Sequence, residues 1–228
     1  MLEKALYRLG RPVVGLYARL MLQLDVLQRA PLPDGPKILA ANHPSSTDPF
    51  LITQLAPEQI SIVIDGALFD APVFGGYLRR AGHVPVMREN GRATVEHARR
   101  LLEAGRTVAI FPEGHVSPLD GSFYAPRTGT ARLALRTGVP VIPVGIHIPR
   151  ERIQIINLNF KGESGIAKWY LRGPYAMTVG EPMRFQGDVE DRPYVRSISE
   201  QIMRRIIQLS HQGARRMQPP PALATESV

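Results

Sequence analysis

The sequence predicts a single α/β domain. Its sheet is mixed and mostly parallel, helices flank it, and an amphipathic helix pair leads into it. Three observations carry this. From residue 37 onward, short apolar runs alternate with segments of helical periodicity, which implies helices on both faces of a sheet. Apolar residues are 44% of the 228, enough for one substantial core, and α/β domains often exceed ~150 residues without splitting. Polar loops at His43–Asp48, Arg88–Asn90 and Glu113–Pro118 follow strand ends, and in open α/β sheets such loops gather at one edge.

The first segment, 1–24, carries Leu2, Leu6, Leu9, Val13, Leu16, Leu20 and Leu24 at spacings of three or four. On a helix these fall within roughly 80° of one another, with Lys4, Arg8, Arg11 and Arg19 on the other side. Gly10 and Pro12 interrupt the pattern, so a helix over 2–9 and a second from Pro12 to Met21 are expected. Such a pair suits an anionic lipid surface; it would equally suit packing on the domain with solvated arginines.

Residues 31–36 form a turn-rich connector, and 25–213 form the main domain. Lys37–Asn42 reads as a buried strand. Asp48 then reads as a helix N-cap, with Pro49 in the first turn. Ile60–Ile64 is a strand, Phe69–Arg80 a short helix and His83–Met87 a strand. A helix from Asn90 or Gly91 turns Val95, Ala98, Leu101 and Leu102 inward and stops at Gly105. Thr107–Phe111 is a strand, Thr128–Arg136 a helix closed by Gly138, and Val139–Ile146 a strand. Ile153–Asn159 and Trp169–Val179 read as further strands, and a last helix spans about Asp191 to His211. Residues 214–228 read as a disordered tail.

The absence of cysteine excludes a disulfide framework and any thiolate nucleophile. A net charge of +8 favours polyanions. Nucleic acid is not expected as a partner. The chain has no zinc spacing, no ribonucleoprotein motif and no basic block, and aromatics are only 7%. An anionic membrane surface or a phosphorylated small molecule fits better. No run of about 18 uncharged apolar residues and no signal-peptide pattern occurs. A peripheral protein at the cytoplasmic face of a membrane is therefore expected.

His43 and Asp48 follow the apolar run Ile38-Leu39-Ala40-Ala41. A histidine at a strand end, a small-residue turn and an aspartate make a compact general-base dyad. The carboxylate holds one ring nitrogen while the other faces a substrate hydroxyl. Ser45, Ser46 and Thr47 read as turn and cap residues. His115 reads as pocket-lining, and His83, His97, His147 and His211 as structural or exposed. No metal site is expected, because no convergent ligand spacing occurs.

Asn42-His43 followed by Asp48 resembles the HX4D motif of the PlsC-like glycerolipid acyltransferases. Val84-Pro85-Val86-Met87-Arg88 resembles that family's second block and Phe111-Pro112-Glu113-Gly114 its third. Val139-Pro140-Val141-Ile142-Pro143-Val144 resembles its fourth. The four occur in order over roughly residues 24–150. The resemblance implies direct transfer of a fatty acyl chain from acyl-CoA or acyl carrier protein to a lysophospholipid hydroxyl, with 1-acylglycerol 3-phosphate as the expected acceptor and another lysolipid or a glycolipid as the alternative. The thioester is a co-substrate, so no cofactor is implied. His43 would take the hydroxyl proton and Asp48 would fix the ring. Asp48→Asn is then expected to cut turnover with little loss of folding.

Arg88, Glu113 and Gly114 are the implied acceptor-binding residues, since a guanidinium suits phosphate. His115 and Val116 stand where the family usually has threonine and arginine, and Asp65-Gly66 where it often has lysine. Arg127 is the candidate to compensate. Fewer positive charges are also consistent with a larger or neutral head group. Two alternatives remain open: hydrolysis of a thioester by the same dyad, and a lipid-binding module without catalysis.

Overall fold

The computed structural model describes residues 2–87, 89–160 and 163–218, with the side chains of all but 2–6, 158–160 and 163–165. Arg88 and the tail from 219 lie outside the described residues.

The central sheet has seven strands. In chain order they are β1 (Leu24–Gln28), β2 (Ile38–Ala41), β3 (Ile60–Asp65), β4 (Val84–Val86), β5 (Thr107–Ile110), β6 (Val141–His147) and β9 (Tyr175–Val179). Their order across the sheet is β1-β9-β6-β2-β5-β3-β4. The five from β6 to β4 run parallel, and β9 with β1 runs antiparallel to them. A separate hairpin pairs β7 (Gln154–Phe160) with β8 (Glu163–Trp169).

The period-two pattern of β2 divides the core into two. Leu39 and Ala41 face α1 (Leu2–Met21) and α2 (Asp48–Leu51) in one apolar cluster. Ile38 and Ala40 face the other cluster. That cluster is completed by α4 (Gly91–Glu103), α5 (Gly129–Thr137) and α6 (Arg192–Met217). The short α3 (Phe74–Arg80) packs against the 3-10 turn Gly66–Asp70 that follows β3. Helix α6 crosses β6 so closely that a Cβ on Gly145 would lie 2.0 Å from the Ser210 nitrogen, so only glycine fits there. Ser210 Oγ donates to the Ile146 carbonyl beside it at 2.8 Å.

Most expected elements occur where the sequence placed them, and the departures have local causes. Segment 2–21 is one helix through Pro12, not a pair. Contacts at Arg11 and C-terminal to Pro12 hold that single axis. Arg11 Nε donates to the Thr53 carbonyl at 3.1 Å, Gln54 Nε2 donates to the Arg11 carbonyl at 3.2 Å, and Ala18 and Leu22 are buried. These offset the hydrogen bond that proline cannot make. The expected helix 69–80 is a 3-10 turn, Gly66–Asp70, followed by α3. Val73 stands between them at φ 63°, which breaks the helical path. The expected strand 169–179 is divided at Gly173, whose φ is 118°, so Trp169 closes β8 and Tyr175 opens β9. Helix α6 continues to Met217, past the expected start of the tail. Arg216 there reaches Asp25 at 2.8 Å and Thr178 at 2.7 Å.

Helix α1 lays its other face, not the leucine stripe, on the domain. Val14, Tyr17, Ala18 and Leu22 pack inward. Leu9, Val13, Leu16 and Leu20 stay 59–72% exposed. Among the described residues, no helix is long and apolar enough to cross a membrane.

Candidate active site

The parallel strands β2 and β5 end side by side, and their exits bring the separated motifs together. Asn42 prolongs β2 with its side chain. Its Nδ2 donates to the Ile146 carbonyl at 2.8 Å and its Oδ1 accepts from the Ile146 N–H at 2.7 Å, a two-bond link to β6 with Asn42 fully buried. The backbone can then leave the sheet at His43 without orphaned groups.

His43 Nδ1 lies 2.9 Å from Asp48 Oδ2. A carboxylate only accepts, so Nδ1 carries the proton and Nε2 is left as the basic nitrogen. Asp48 is fully buried, whereas the His43 side chain is 15% exposed. Three further donors converge on the same carboxylate: the Ser45 N–H at 2.8 Å, Ser45 Oγ at 2.7 Å and the Tyr175 hydroxyl at 2.7 Å. They compensate a charge that burial alone would make costly. Burial, and the charge and hydrogen bond of Asp48, push the Tyr175 phenol well above its usual range, so it stays a donor.

Asp48 was expected as an N-cap and is not one. Thr47 holds the cap position without a side-chain cap bond, and Asp48 sits in the first turn of α2 facing His43. The Thr47 hydroxyl instead donates to the Tyr170 carbonyl at 2.9 Å and accepts from its N–H at 3.1 Å. Ser46 pairs in the same way with the Lys168 backbone, through its N–H at 2.7 Å and its Oγ at 3.1 Å. Ser46 and Thr47 thus fasten the turn between His43 and Asp48 to the end of β8.

Phe111 lies under the imidazole, with ring centroids 4.1 Å apart and planes 20° from parallel. Glu113 is buried and fully engaged. Its Oε1 accepts from the His43 N–H at 3.0 Å and from Ser117 Oγ at 2.7 Å, and its Oε2 from the Tyr124 N–H at 2.9 Å. The Ser117 N–H donates to the His43 carbonyl at 2.7 Å. Both backbone faces of His43 are therefore held by the Glu113–Ser117 loop.

Gly114 has φ 72°, and a Cβ there would lie 2.4 Å from Arg127 Nε. Arg127 so covers Gly114, and its Nη2 lies 3.1 Å from His115 Nε2. Of the residues expected at the site, His43, Asp48, Glu113, Gly114 and Arg127 are thus linked through one loop cluster. Sequence reasoning missed Tyr175, Ser117 and the anchoring role of Asn42. Tyr175 follows Asp48 by 127 positions inside an apolar strand and carries no local signal. Asn42 could have been found, because a polar residue ending a buried strand must find partners.

A family model described as Acyltransferase matches residues 23–147. The chain is 28% identical over 134 residues to a chloroplast 1-acyl-sn-glycerol-3-phosphate acyltransferase of Arabidopsis thaliana. That stretch covers 58% of this chain but only 37% of the relative, so the chain spans little more than a third of that plant protein. It is 28% identical over 177 residues to a lyso-ornithine lipid O-acyltransferase of Pseudomonas aeruginosa, covering 73% of this chain and 66% of that one. Among solved structures, the 1-acyl-sn-glycerophosphate acyltransferase PlsC of Thermotoga maritima superposes with a TM-score of 0.56 at 24% identity. It covers 89% of this chain and 78% of PlsC, a likeness of fold. The family match takes in more than half of the 228 residues, including the dyad, the Glu113 loop and β6, and on that ground the chain belongs to the Acyltransferase family.

Proposed function

We propose that this protein transfers a fatty acyl chain from an acyl-CoA or acyl carrier protein thioester to the hydroxyl of a lysophospholipid, with 1-acylglycerol 3-phosphate as the preferred acceptor, in phospholipid biosynthesis. The observation that carries the reading is the 2.9 Å His43–Asp48 contact, with Asp48 buried under four donors and the imidazole edge reaching solvent.

His43 Nε2 takes the acceptor's hydroxyl proton as its oxygen attacks the thioester carbonyl. The tetrahedral adduct collapses with cleavage of the carbon–sulfur bond. The imidazolium returns its proton to the departing thiolate. Asp48 stabilises the imidazolium between the two transfers. Glu113 and Ser117 act as positioning residues that hold the His43 backbone. Arg127, over Gly114, stands beside that loop as an acceptor-binding candidate, and Arg88 remains the second.

The exposed stripe of α1 supports a peripheral membrane location at the cytoplasmic face, since lipid acceptor and product both reside in a bilayer. The likeness to the Pseudomonas relative favours a second acceptor reading, an amino-lipid in place of a phosphate ester.

The test is acyl transfer from acyl-CoA and acyl carrier protein to lysophosphatidate, other lysophospholipids and lyso-ornithine lipid, comparing wild type with His43→Ala. His43-dependent lipid product supports the reading, and the best acceptor names the head group. Free fatty acid without lipid product from any acceptor replaces it with thioester hydrolysis.

A further inference from the structure

Two cations outside the sequence motifs grip the loop that holds His43. Lys168, near the end of β8, donates from Nζ to the Ser117 carbonyl at 2.8 Å. Arg150, in the 3-10 turn after β6, donates from Nη1 to the Pro118 carbonyl at 2.7 Å. The two carbonyls belong to consecutive residues, so both charges stand over one short stretch of backbone. Ser117 is the residue whose N–H holds the His43 carbonyl, and the Lys168 backbone is paired with Ser46 in the dyad's turn. The pair is therefore built into the loop cluster around the dyad, at the edge of the sheet where ligands of open α/β folds bind.

The electrostatics are unbalanced. Both side chains are half-buried. Burial pushes both below their ordinary pKa ranges, and the Arg150 charge pushes Lys168 further down. Asp48, Glu113 and Asp120 oppose this at Arg150, and Glu113 and Asp120 at Lys168, all from beyond ion-pair distance. Among the described residues, no carboxylate stands at ion-pair distance from either. Glu113, the nearest motif carboxylate to the loop, already accepts from three protein donors. Bracing two carbonyls needs only neutral donors. Two like charges held over one loop repel each other unless an anion joins them, and lysine with three donors and arginine with five have donors to spare for one.

We infer that Arg150 and Lys168 together bind a phosphoryl group of a substrate beside the His43 turn. Guanidinium and ammonium groups held at consecutive carbonyls of one loop match the several acceptor oxygens of a phosphate ester. The inference rests on the acyl-transfer reading for its substrates: the phosphate belongs to the acceptor's head group or to the carrier portion of the thioester donor.

The experiment measures binding of inorganic phosphate and glycerol 3-phosphate to the full chain by calorimetry. It compares wild type, Arg150→Gln, Lys168→Gln and the charge-preserving Arg150→Lys and Lys168→Arg. Unfolding midpoints without phosphate establish that each variant is folded. The glutamine variants should weaken Kd by about tenfold or more, as loss of a charge-assisted contact does, with the charge-preserving variants retaining most of the affinity. Kinetics then place the phosphate. A KM rise for lysophosphatidate but not for monoacylglycerol assigns the acceptor. A rise for acyl-CoA but not for a short acyl thioester without phosphates assigns the donor. Unchanged phosphate affinity in folded glutamine variants, or a fall in kcat with every KM unaltered, would make the two residues loop braces and overturn the site. If wild type acylates no acceptor, the proposed function fails, while the phosphate titration still decides the site.

Discussion

The Tyr175 hydroxyl donates to Asp48 Oδ1 at 2.7 Å, so a strand beyond every recognised motif completes the support of the His43–Asp48 pair. The bond draws negative charge toward Oδ1 and away from the edge of the carboxylate that meets His43. Tyr175→Phe removes the donor with little change of volume. Oδ1 then loses one of the two bonds that fix it, so the His43–Asp48 geometry loosens and kcat should fall by about tenfold. Loss of a buried bond to a charged group should also cost about 2 kcal/mol of stability. Turnover and stability equal to wild type would leave Tyr175 a packing residue only.

Asp48→Asn should lower turnover by about a thousandfold, because an amide can turn its NH2 toward His43 Nδ1 and select the wrong tautomer. The structure changes the companion expectation that folding would hardly suffer. The Ser45 N–H aims at Oδ2 as well, and an NH2 turned to that position cannot accept it, while the amide oxygen at Oδ1 still accepts from Ser45 Oγ and the Tyr175 hydroxyl. Denaturant unfolding should show a loss of about 1–3 kcal/mol. Retained turnover in the asparagine variant would remove Asp48 from the mechanism.

His83 gives a pH dependence of stability that is independent of catalysis. Burial, helped by the Arg106 charge, pushes its imidazole down to about 4, and its Nδ1 accepts from the Ile62 N–H at 3.2 Å. The folded state therefore needs the neutral ring, while the unfolded chain takes up a proton near pH ~6.5. The contribution is full above that value. It falls as pH drops toward the folded pKa, by at most about 1.4 kcal/mol per pH unit. Unfolding free energies measured from pH 7 to 4 should show this slope, and His83→Gln should flatten it at a lower overall stability. Identical slopes would mean that other groups dominate acid unfolding.

Val13 and Leu16 on α1 are 67% and 59% exposed. Val13→Glu with Leu16→Glu should reduce binding to vesicles containing anionic lipid and shift stability by no more than about 0.5 kcal/mol per site, as exposed substitutions do. Removing 1–24 outright is a poorer test, because Ala18 and Leu22 belong to the core and Leu24 opens β1. Undiminished vesicle binding in the double variant would place the lipid contact on another surface.

The legible parts of the fold are those set by local chemistry. Ile38–Ala41, Thr107–Ile110 and α4 were readable because apolar runs, an asparagine cap and a glycine stop act over a few residues. The 24–28 strand was not, because Leu24 also continued the helical stripe and only pairing with β9 decides between the two. The leucine stripe expected to face lipid is the exposed face of α1, and the sequence did not show why. The stripe marks what the domain leaves uncovered, and α1 docks through Val14, Ala18 and Leu22.

The site divides along the same line. The sequence by itself determined the dyad, because His43 and Asp48 lie within one turn and their contact needs only local backbone geometry. It also marked Glu113 and Gly114, though not what they do. Only the tertiary structure decided that Glu113 holds the His43 backbone and that Tyr175 completes the carboxylate's hydrogen bonds. It alone set Arg150 and Lys168 over the same loop. A side chain's identity and its near neighbours are written along the chain. Which distant donor reaches a buried acceptor follows from strand order, and strand order is set by packing of the whole sheet rather than by any one segment.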